Sequence, residues 1–402
     1  MNPLPLVAAD LRASRWGALV VALLVGCAVA LSVVVSAAER SLRAGSARAA
    51  DDFDLLVGGP GSATDLVLAT VYLRPTDLPL VDAKRVKRLM EAKGTALVAP
   101  LAFGDSADGQ PVVGTIEAFV RHLARRGMIE GRAFAREGEA VVGADVRLRL
   151  GERAVPVHGQ QTVKLPGGAG HHHDEEAFSV VGRLPRSGTA WDHAILVPIE
   201  TVWEAHHLVL GERDDGRIGP PWPDDAVGGA SVVVIKPAGV ADAYRLRQAL
   251  KGDGLLALFP AETLIELYEA LGSAGAVAAA IAHGAHALVL IAIGLVAMAA
   301  LAARRTQIAV LRAMGAPAGF VFLVVWLEIV VLLAAGVVLG TGLAWAATAV
   351  ITTWASASLG FVLPASLSFG DFSGAGLILL AGLLLAALPA LFAARQPAAN
   401  AP

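Results

Sequence analysis

The sequence predicts a membrane protein with four transmembrane α-helices in a 1 + 3 arrangement. A large α+β extracytoplasmic domain is inserted between the first and second helices. Three observations carry that expectation. Only 17% of the 402 residues are charged, against about 25% in an ordinary soluble chain. The apolar residues gather into four runs that reach the ~18–20 residues of a bilayer crossing. Between the first and second runs lies a long segment with mixed strand and helix patterns, large enough for its own core. The net charge of −3 comes without a basic block, which argues against a nucleic-acid partner. The single cysteine, Cys27, excludes an intrachain disulfide.

Residues 1–15 form a short cytoplasmic segment carrying Arg12 and Arg15. The first span, "WGALVVALLVGCAVALSVVVSAA", covers 16–38. Its basic start and "SAAE" end mimic a cleaved signal peptide, and "LVGC" mimics a lipoprotein processing box. The apolar run outlasts a signal core of about 7–15 residues, so an uncleaved anchor is expected. The second, third and fourth spans cover 271–303, 318–351 and 374–394. Arg304, Arg305 and Arg312 lie between the second and third, and Arg395 opens the tail 395–402. With four spans, these arginines and the first two share one face, as the positive-inside rule requires. Both termini and the segment 304–317 are then cytoplasmic, while 39–270 and the loop 352–373 lie outside. Arg40, Arg43 and Arg48 run against the rule, but long translocated domains largely escape it.

Within 39–270, "FDLLVGG", "TALVAPLAF", "EAVVGADVRLRL", "AFSVVGRL", "HAILVPI" and "ASVVVIKP" read as strands, rich in valine and bounded by Gly, Pro and Asp. "DAKRVKRLMEAKG" reads as a helix with Val86, Leu89 and Met90 on its apolar face. "IETVWEAHH" and "VADAYRLRQAL" read as shorter helices. "PAETLIELYEALGSA" leads into the second span, with Glu262, Glu266 and Glu269 on one stripe. That stripe is either a stiff connection that carries motion or a solvated helix face.

At the second-to-third junction stands "ARRTQIAVLRAMGAPAGFVFLVVWLEIVVLLAAGVVLGTGLAW". It resembles the signature of the FtsX-like, or MacB-like, permeases of ABC transporters. The matching features are Arg304-Arg305, Ile308 to Leu311, Arg312-Ala313-Met314-Gly315-Ala316, Glu328, and Gly336, Gly340 and Gly342. Pro389 to Arg395 is similar to the family's ending. "EGRAFAREGEAVVGADVRLRLGE" and "FSVVGRLPRSGTAWDHAILVPIETVWEAH" resemble its periplasmic core, and "FDLLVGGPGSATDLVLATVYL" a narrower branch. The chain departs from the family at "APAGF", where many members carry arginines. The resemblance implies a non-catalytic permease subunit in a bacterial inner membrane, driven by a separate cytoplasmic ATPase. Such a subunit would act on a lipid, lipoprotein, peptide or similar substrate, as a homodimer or paired permease, with a periplasmic or lipoprotein partner. The chain contains no G-x-x-x-x-G-K-[ST] phosphate loop, so ATP is expected in the partner and no cofactor here.

Candidate sites follow. Arg304, Arg305, Ile308, Leu311, Arg312 and Gly315 make a short amphipathic segment suited to a partner's groove, or to membrane lipid with its arginines snorkelling. Gly315 suits a left-handed helix cap. Glu328, at membrane depth, should pair with Arg304 or Arg312, or sit neutral against backbone. Gly336 and Gly340 form GxxxG, which permits close helix approach within the bundle or to a second copy. His283 and His286 share one helical face, as a metal or proton site or as hydrogen-bonded packing. Finally, "GAGHHHDEEAF", residues 168–178, carries the His-rich loop 167–176. His171, His173 and Asp174, with Glu175 or His158, would suit zinc, nickel or copper; the alternative is a solvated loop. No H-E-x-x-H appears, which removes a metalloprotease. If that metal set is the working part, the chain is instead a membrane-anchored metal-sensing or binding module without an ATPase. A secreted or lipid-anchored enzyme would require processing of the first span.

Overall fold

In the computed structural model the described residues are 2–158, 177–208, 217–303, 305–359, 362–364 and 366–395. His171, His173, Asp174 and Arg304 lie outside them. The chain opens with α1 (Leu4–Ala13) and α2 (Arg15–Ala50), then β1 (Leu55–Gly58), α3 (Ala63–Tyr72) and α4 (Ala83–Met90). Next come β2 (Thr95–Ala107), β3 (Gln110–Thr115), α5 (Glu117–Leu123), β4 (Glu130–Gly131), β5 (Glu139–Val142), β6 (Arg153–Ala154) and β7 (Val157–His158). β8 (Phe178–Arg183), β9 (Ile195–Pro198), α6 (Ile199–Ala205), β10 (Val232–Pro237), α7 (Val240–Gly252) and β11 (Leu256–Leu258) follow. The last elements are α8 (Pro260–Ala303), α9 (Arg305–Ala313), α10 (Ala318–Leu359) and α11 (Ser373–Ala394). These form two compact units. A helical unit holds 1–43, 271–355 and 363–402, and a sheet unit holds 44–270 and 356–362. Helices α2, α8 and α10 therefore contribute residues to both.

In the helical unit, runs without charge leave the backbone to satisfy its own hydrogen bonds, which only a helix does locally. Among the described residues three helices are long and apolar enough to cross a membrane: Arg15–Ala50, Ala318–Ser356 and Phe369–Ala394. Helix α8 runs for 44 residues and includes the shorter apolar stretch His283–Ala292. The unit's centre is a cluster of Val25, Val29, Val33, Leu333, Ala344 and Ile378, all buried.

The sheet unit is built on one mixed sheet with strand order β11-β1-β10-β2-β3-β9-β5-β8-β4; β6 pairs β8 and β7 pairs β2. The pairs β3–β9 and β5–β8 are parallel and the others antiparallel. Val98 to Leu101 on β2 face Ile235 to Val232 on β10, and this long valine-rich pairing is the middle of the core. Phe53, Phe119 and Trp191 pack with ring centroids 5.3–6.3 Å apart. Two buried indoles find backbone acceptors: Trp191 Nε1 donates to Thr70 O at 3.1 Å and Trp203 Nε1 to Gly229 O at 2.8 Å. Each thereby avoids the cost of an unmade buried hydrogen bond. Both tryptophans anchor the segment 178–206 to the core.

The end of α2 is held inside this unit. Asp52, which is buried, pairs with Arg125; Asp51 pairs with Arg126 at 2.6 Å; and Asp52 O lies 2.9 Å from His122 Nε2. Burial, with Lys236 nearby, lowers the His122 pKa below the usual imidazole value, so the ring is neutral at pH 7.

One strand is shorter than its pattern predicts. "EAVVGADVRLRL" reads as continuous, yet β5 ends at Val142. Gly143 sits hard against the carbonyls of Trp191 and Asp192, leaving no space for a side chain. Beyond it, the Arg183 guanidinium donates to the carbonyls of Gly143, Ala144, Val146 and Leu148 at 2.5–3.3 Å. An arginine satisfies those carbonyls in place of a strand neighbour.

Glu139, at the start of β5, accepts from both Arg132 nitrogens at 2.5 and 2.7 Å and from Ala135 N at 2.9 Å. The hydrogen bonds from Arg132 hold its pKa down at about 2, against an ordinary 4.5. A depressed carboxylate stabilises the fold fully above its unfolded value and loses that contribution as pH falls towards the folded one. Glu139→Gln is therefore expected to cost about 1 kcal/mol at pH 7, since Arg132 is half-exposed. It should also flatten the acid side of the stability curve between pH 4.5 and 2. Unfolding monitored by tryptophan fluorescence across that range checks both.

Candidate functional site

Helix α9 and its flanks form the segment that joins α8 to α10. Ile308 is buried against Val321 of α10 and Ala393 of α11, with Val325 alongside. The start of α10 and the end of α11 therefore meet α9 at one end of the helical unit. Of the apolar side chains on this segment, Ile308 therefore faces the bundle. The outward apolar side chains are Val310, 50% exposed, and Met314, 79% exposed; Leu311 and Arg312 are half-buried. The helix stops at Gly315, whose φ of +92° is a left-handed conformation that favours glycine. The amides of Gly315 and Ala316 turn back to the carbonyls of Arg312 and Leu311 at 3.0 Å, and Pro317 precedes α10. Arg305 begins α9. Glu328 is half-buried on α10, roughly 15 Å along the axis from the helix start at 1.5 Å per residue.

Gly336 and Gly340 lie where α10 crosses α2. A Cβ on Gly336 would fall 2.5 Å from Val25 Cβ; one on Gly340 would fall 2.6 Å from Gly26 O and 2.8 Å from Val29 Cβ. The order of contacts, Ala22 and Val25 at Gly336, then Gly26 and Val29 at Gly340, means that the two helices run in the same direction. The GxxxG pair is thus occupied within the chain. One turn before Gly336 on the same side of α10, Leu333 meets Gly382 of α11.

His286 is buried, with Nε2 at 3.3 Å from Ala28 O of α2, and its ring centroid lies 5.9 Å from that of His283 in an edge-on arrangement. His283 is exposed. Among the described residues no cluster of three or more His, Cys, Asp or Glu side chains is arranged to hold a metal ion.

A polar clasp has no precursor among the sequence-derived sites. Arg40 of α2 donates Nε and a terminal nitrogen to the two oxygens of Asp371, at 3.1 and 2.7 Å. It also donates to Ser366 O, while Ser41 Oγ donates to Pro364 O at 2.8 Å. Asp371 is buried and completes a capping box with Ser368 at the turn that opens α11. The only sequence hint is that Arg40 breaks the positive-inside pattern. Its neighbour Arg43 pairs with Glu39 at 2.7 Å on the helix surface.

Long apolar helices, a basic turn at one end of them and a mixed-sheet domain define a multi-pass membrane chain with a folded domain outside its helices. Two family profiles match: the MacB-like periplasmic core domain over residues 18–251 and the FtsX-like permease C-terminal region over 279–398. The chain belongs to this family of FtsX/MacB-type ABC transporter permeases. Among solved structures it is similar to the periplasmic region of MacB from Actinobacillus actinomycetemcomitans, at 11% identity and a TM-score of 0.33, covering 55% of this chain and 95% of that one. It is also similar to the extracellular domain of the noncanonic ABC-type transporter YknZ from Gram-positive bacteria, at 10% identity and a TM-score of 0.30, covering 51% and 98%. A search of curated proteins returns no significant match.

Proposed function

We propose that this chain is the permease subunit of an ABC transporter in a bacterial inner membrane, working with a separate cytoplasmic ATPase. It crosses the membrane four times, through α2, α8, α10 and α11, with both termini and the α9 turn in the cytoplasm. Its work is to pass ATP-driven motion to the outer domain, which exports or extracts a lipid, lipoprotein, peptide or similar molecule. The observation that carries this reading is α8. One helix of 44 residues starts in the sheet unit at Pro260 and ends at Ala303, next to the coupling turn. At 1.5 Å per residue it is about 66 Å long, twice the ~30 Å hydrocarbon core. Continuity of one helix from the sheet unit into the helical unit is what a mechanical relay requires. At its upper end Glu262 pairs with Arg247 of α7 at 2.7 Å, which ties the rod to the sheet unit.

The exposed apolar pair Val310 and Met314 supplies the ATPase contact, flanked by Leu311 and Arg312. Val310→Glu with Met314→Glu is expected to reduce co-purified ATPase at least tenfold while the melting of the chain stays unchanged. The paired substitution Leu311→Ala with Arg312→Ala should act in the same direction. Normal ATPase association in both variants would sink the coupling claim. Labelling a cysteine placed at Met314, in a Cys27→Ser background, with an impermeant maleimide tests the topology: reaction in intact cells would overturn it.

A further inference from the structure

The crossing of α2 and α10 fixes which residues of the helical unit share a level. Gly26 packs between Gly336 and Gly340, and the two helices run in the same direction. Trp16 lies ten residues from Gly26 toward the end that carries α9, and Trp345 lies five residues beyond Gly340 toward the opposite end. At 1.5 Å per residue the two levels are about 26 Å apart, close to the ~30 Å of a hydrocarbon core. Both indoles point out of the bundle: Trp16 is 70% exposed and Trp345 is 67% exposed. The Arg15 guanidinium lies over the Trp16 ring at 5.9 Å. On α10, Glu328 shares the level of Trp16. Between the two levels the four long helices carry no Asp, Glu, Lys or Arg.

A third aromatic marks the Trp345 boundary from another helix. Gly374, near the start of α11, packs on Ser32, which is six residues beyond Gly26 and so level with Trp345. Just ahead of it the turn Phe369–Phe372 presents Phe369, 95% exposed. The capping box of Ser368 and Asp371, with the Arg40 clasp, fixes this backbone. A non-helical turn exposed to lipid is excluded from hydrocarbon, where its backbone groups would lack partners. A bare ring in open water forfeits its burial. The headgroup layer resolves both conflicts, and it also offers acceptors to an indole N–H that hydrocarbon would leave unpaired.

We propose that Trp345 and Phe369 form a lipid-binding belt seated in one phospholipid headgroup layer, with Trp16 and Arg15 seated in the other. The bilayer then touches the bundle between these levels only. Trp354 is as exposed as Trp345, at 72%, but lies nine residues further along α10, which is about 14 Å. It stands in water, although hydropathy alone carries the span on to Ser356. This seating requires that the helical unit cross a bilayer, and it requires neither an ATPase nor a choice of cytoplasmic end.

The test uses the full chain with Cys27→Ser, in nanodiscs of phosphatidylcholine. A nitroxide is attached to one new cysteine at a time: Val338→Cys, Trp345→Cys, Trp354→Cys or Phe369→Cys. All four side chains are at least 67% exposed, so labelling leaves the packing intact. Depth is read by power saturation with oxygen, which enters hydrocarbon, and with a neutral nickel chelate, which stays in water. The ratio of oxygen to nickel collisions is expected to fall at least tenfold from position 338 to position 354. Positions 345 and 369 should lie between those limits and within threefold of one another. Equal ratios at 338 and 345 would put Trp345 inside the hydrocarbon and overturn the belt. A ratio at 345 or 369 equal to that at 354 would do the same. So would exclusion of both reagents from either position, since protein rather than lipid would then cover it. A nickel-dominated ratio at 338 would overturn the membrane crossing and the belt together.

Discussion

Gly340→Leu is expected to disrupt the helical unit outright, with the purified chain in mild detergent losing its cooperative melt. The glycine lets the α2 and α10 backbones meet, and even a methyl there would fall 2.6 Å from Gly26 O. That oxygen belongs to a helix backbone and cannot rotate away. Smaller substitutions should grade with the space available. Gly340→Ala, placed against backbone, is expected to cost about 1–3 kcal/mol through overpacking. At Gly26 the nearest atoms stand at 3.2 and 3.3 Å, so Gly26→Ala should cost less. Gly342 has nothing within 4 Å, so Gly342→Ala should be neutral or gain up to ~1 kcal/mol of helix propensity. Detergent melts of the three alanine variants give the order; a Gly340→Ala chain melting like Gly342→Ala would refute the close crossing.

The second large effect is expected at the clasp. Arg40→Gln leaves Asp371 buried without its cation. Breaking a fully buried pair typically costs about 3–5 kcal/mol, but the Arg40 side chain is 34% exposed, so roughly 2 kcal/mol is expected after screening. Asp371→Asn should cost less, because a neutral amide oxygen still accepts from Ser368 N, now 2.7 Å from Oδ2. The double variant should recover part of the Arg40→Gln loss. Unfolding of the four chains closes a double-mutant cycle. The same chains can be probed by limited proteolysis between α10 and α11, where Arg40→Gln should hasten cleavage. Additive losses with unchanged cleavage would mean that the clasp holds nothing.

Three of the expected spans and the main strands were readable because their signals are local. A run of Leu, Val and Ala without charge, or a valine-rich segment between turn residues, carries its structure in its own composition. Helix α3 was harder to see. Leu66, Val67, Ala69, Thr70 and Val71 are all buried, so "ATDLVLATVY" shows no polar face and no helical period; its main mark is Ser62, whose side chain accepts from Asp65 N at 3.2 Å. The short strand β3, "QPVVGT", is hidden by a proline and a glycine and is made a strand by its neighbours β2 and β9. In α9, the amphipathic period was visible but its phase was not: which of Ile308, Val310 and Leu311 faces inward depends on where α10 and α11 lie.

Hydropathy and turn chemistry act over a few neighbouring residues, so three long apolar helices and a separate sheet domain after the first of them are legible in the linear pattern. The folded chain alone shows that GxxxG is filled by α2, that Ile308 packs inward, and that Arg40 meets Asp371 across 331 positions. Packing and ion pairing are chosen by proximity in space, and partners so far apart along the chain leave no periodic trace for a linear pattern to reveal.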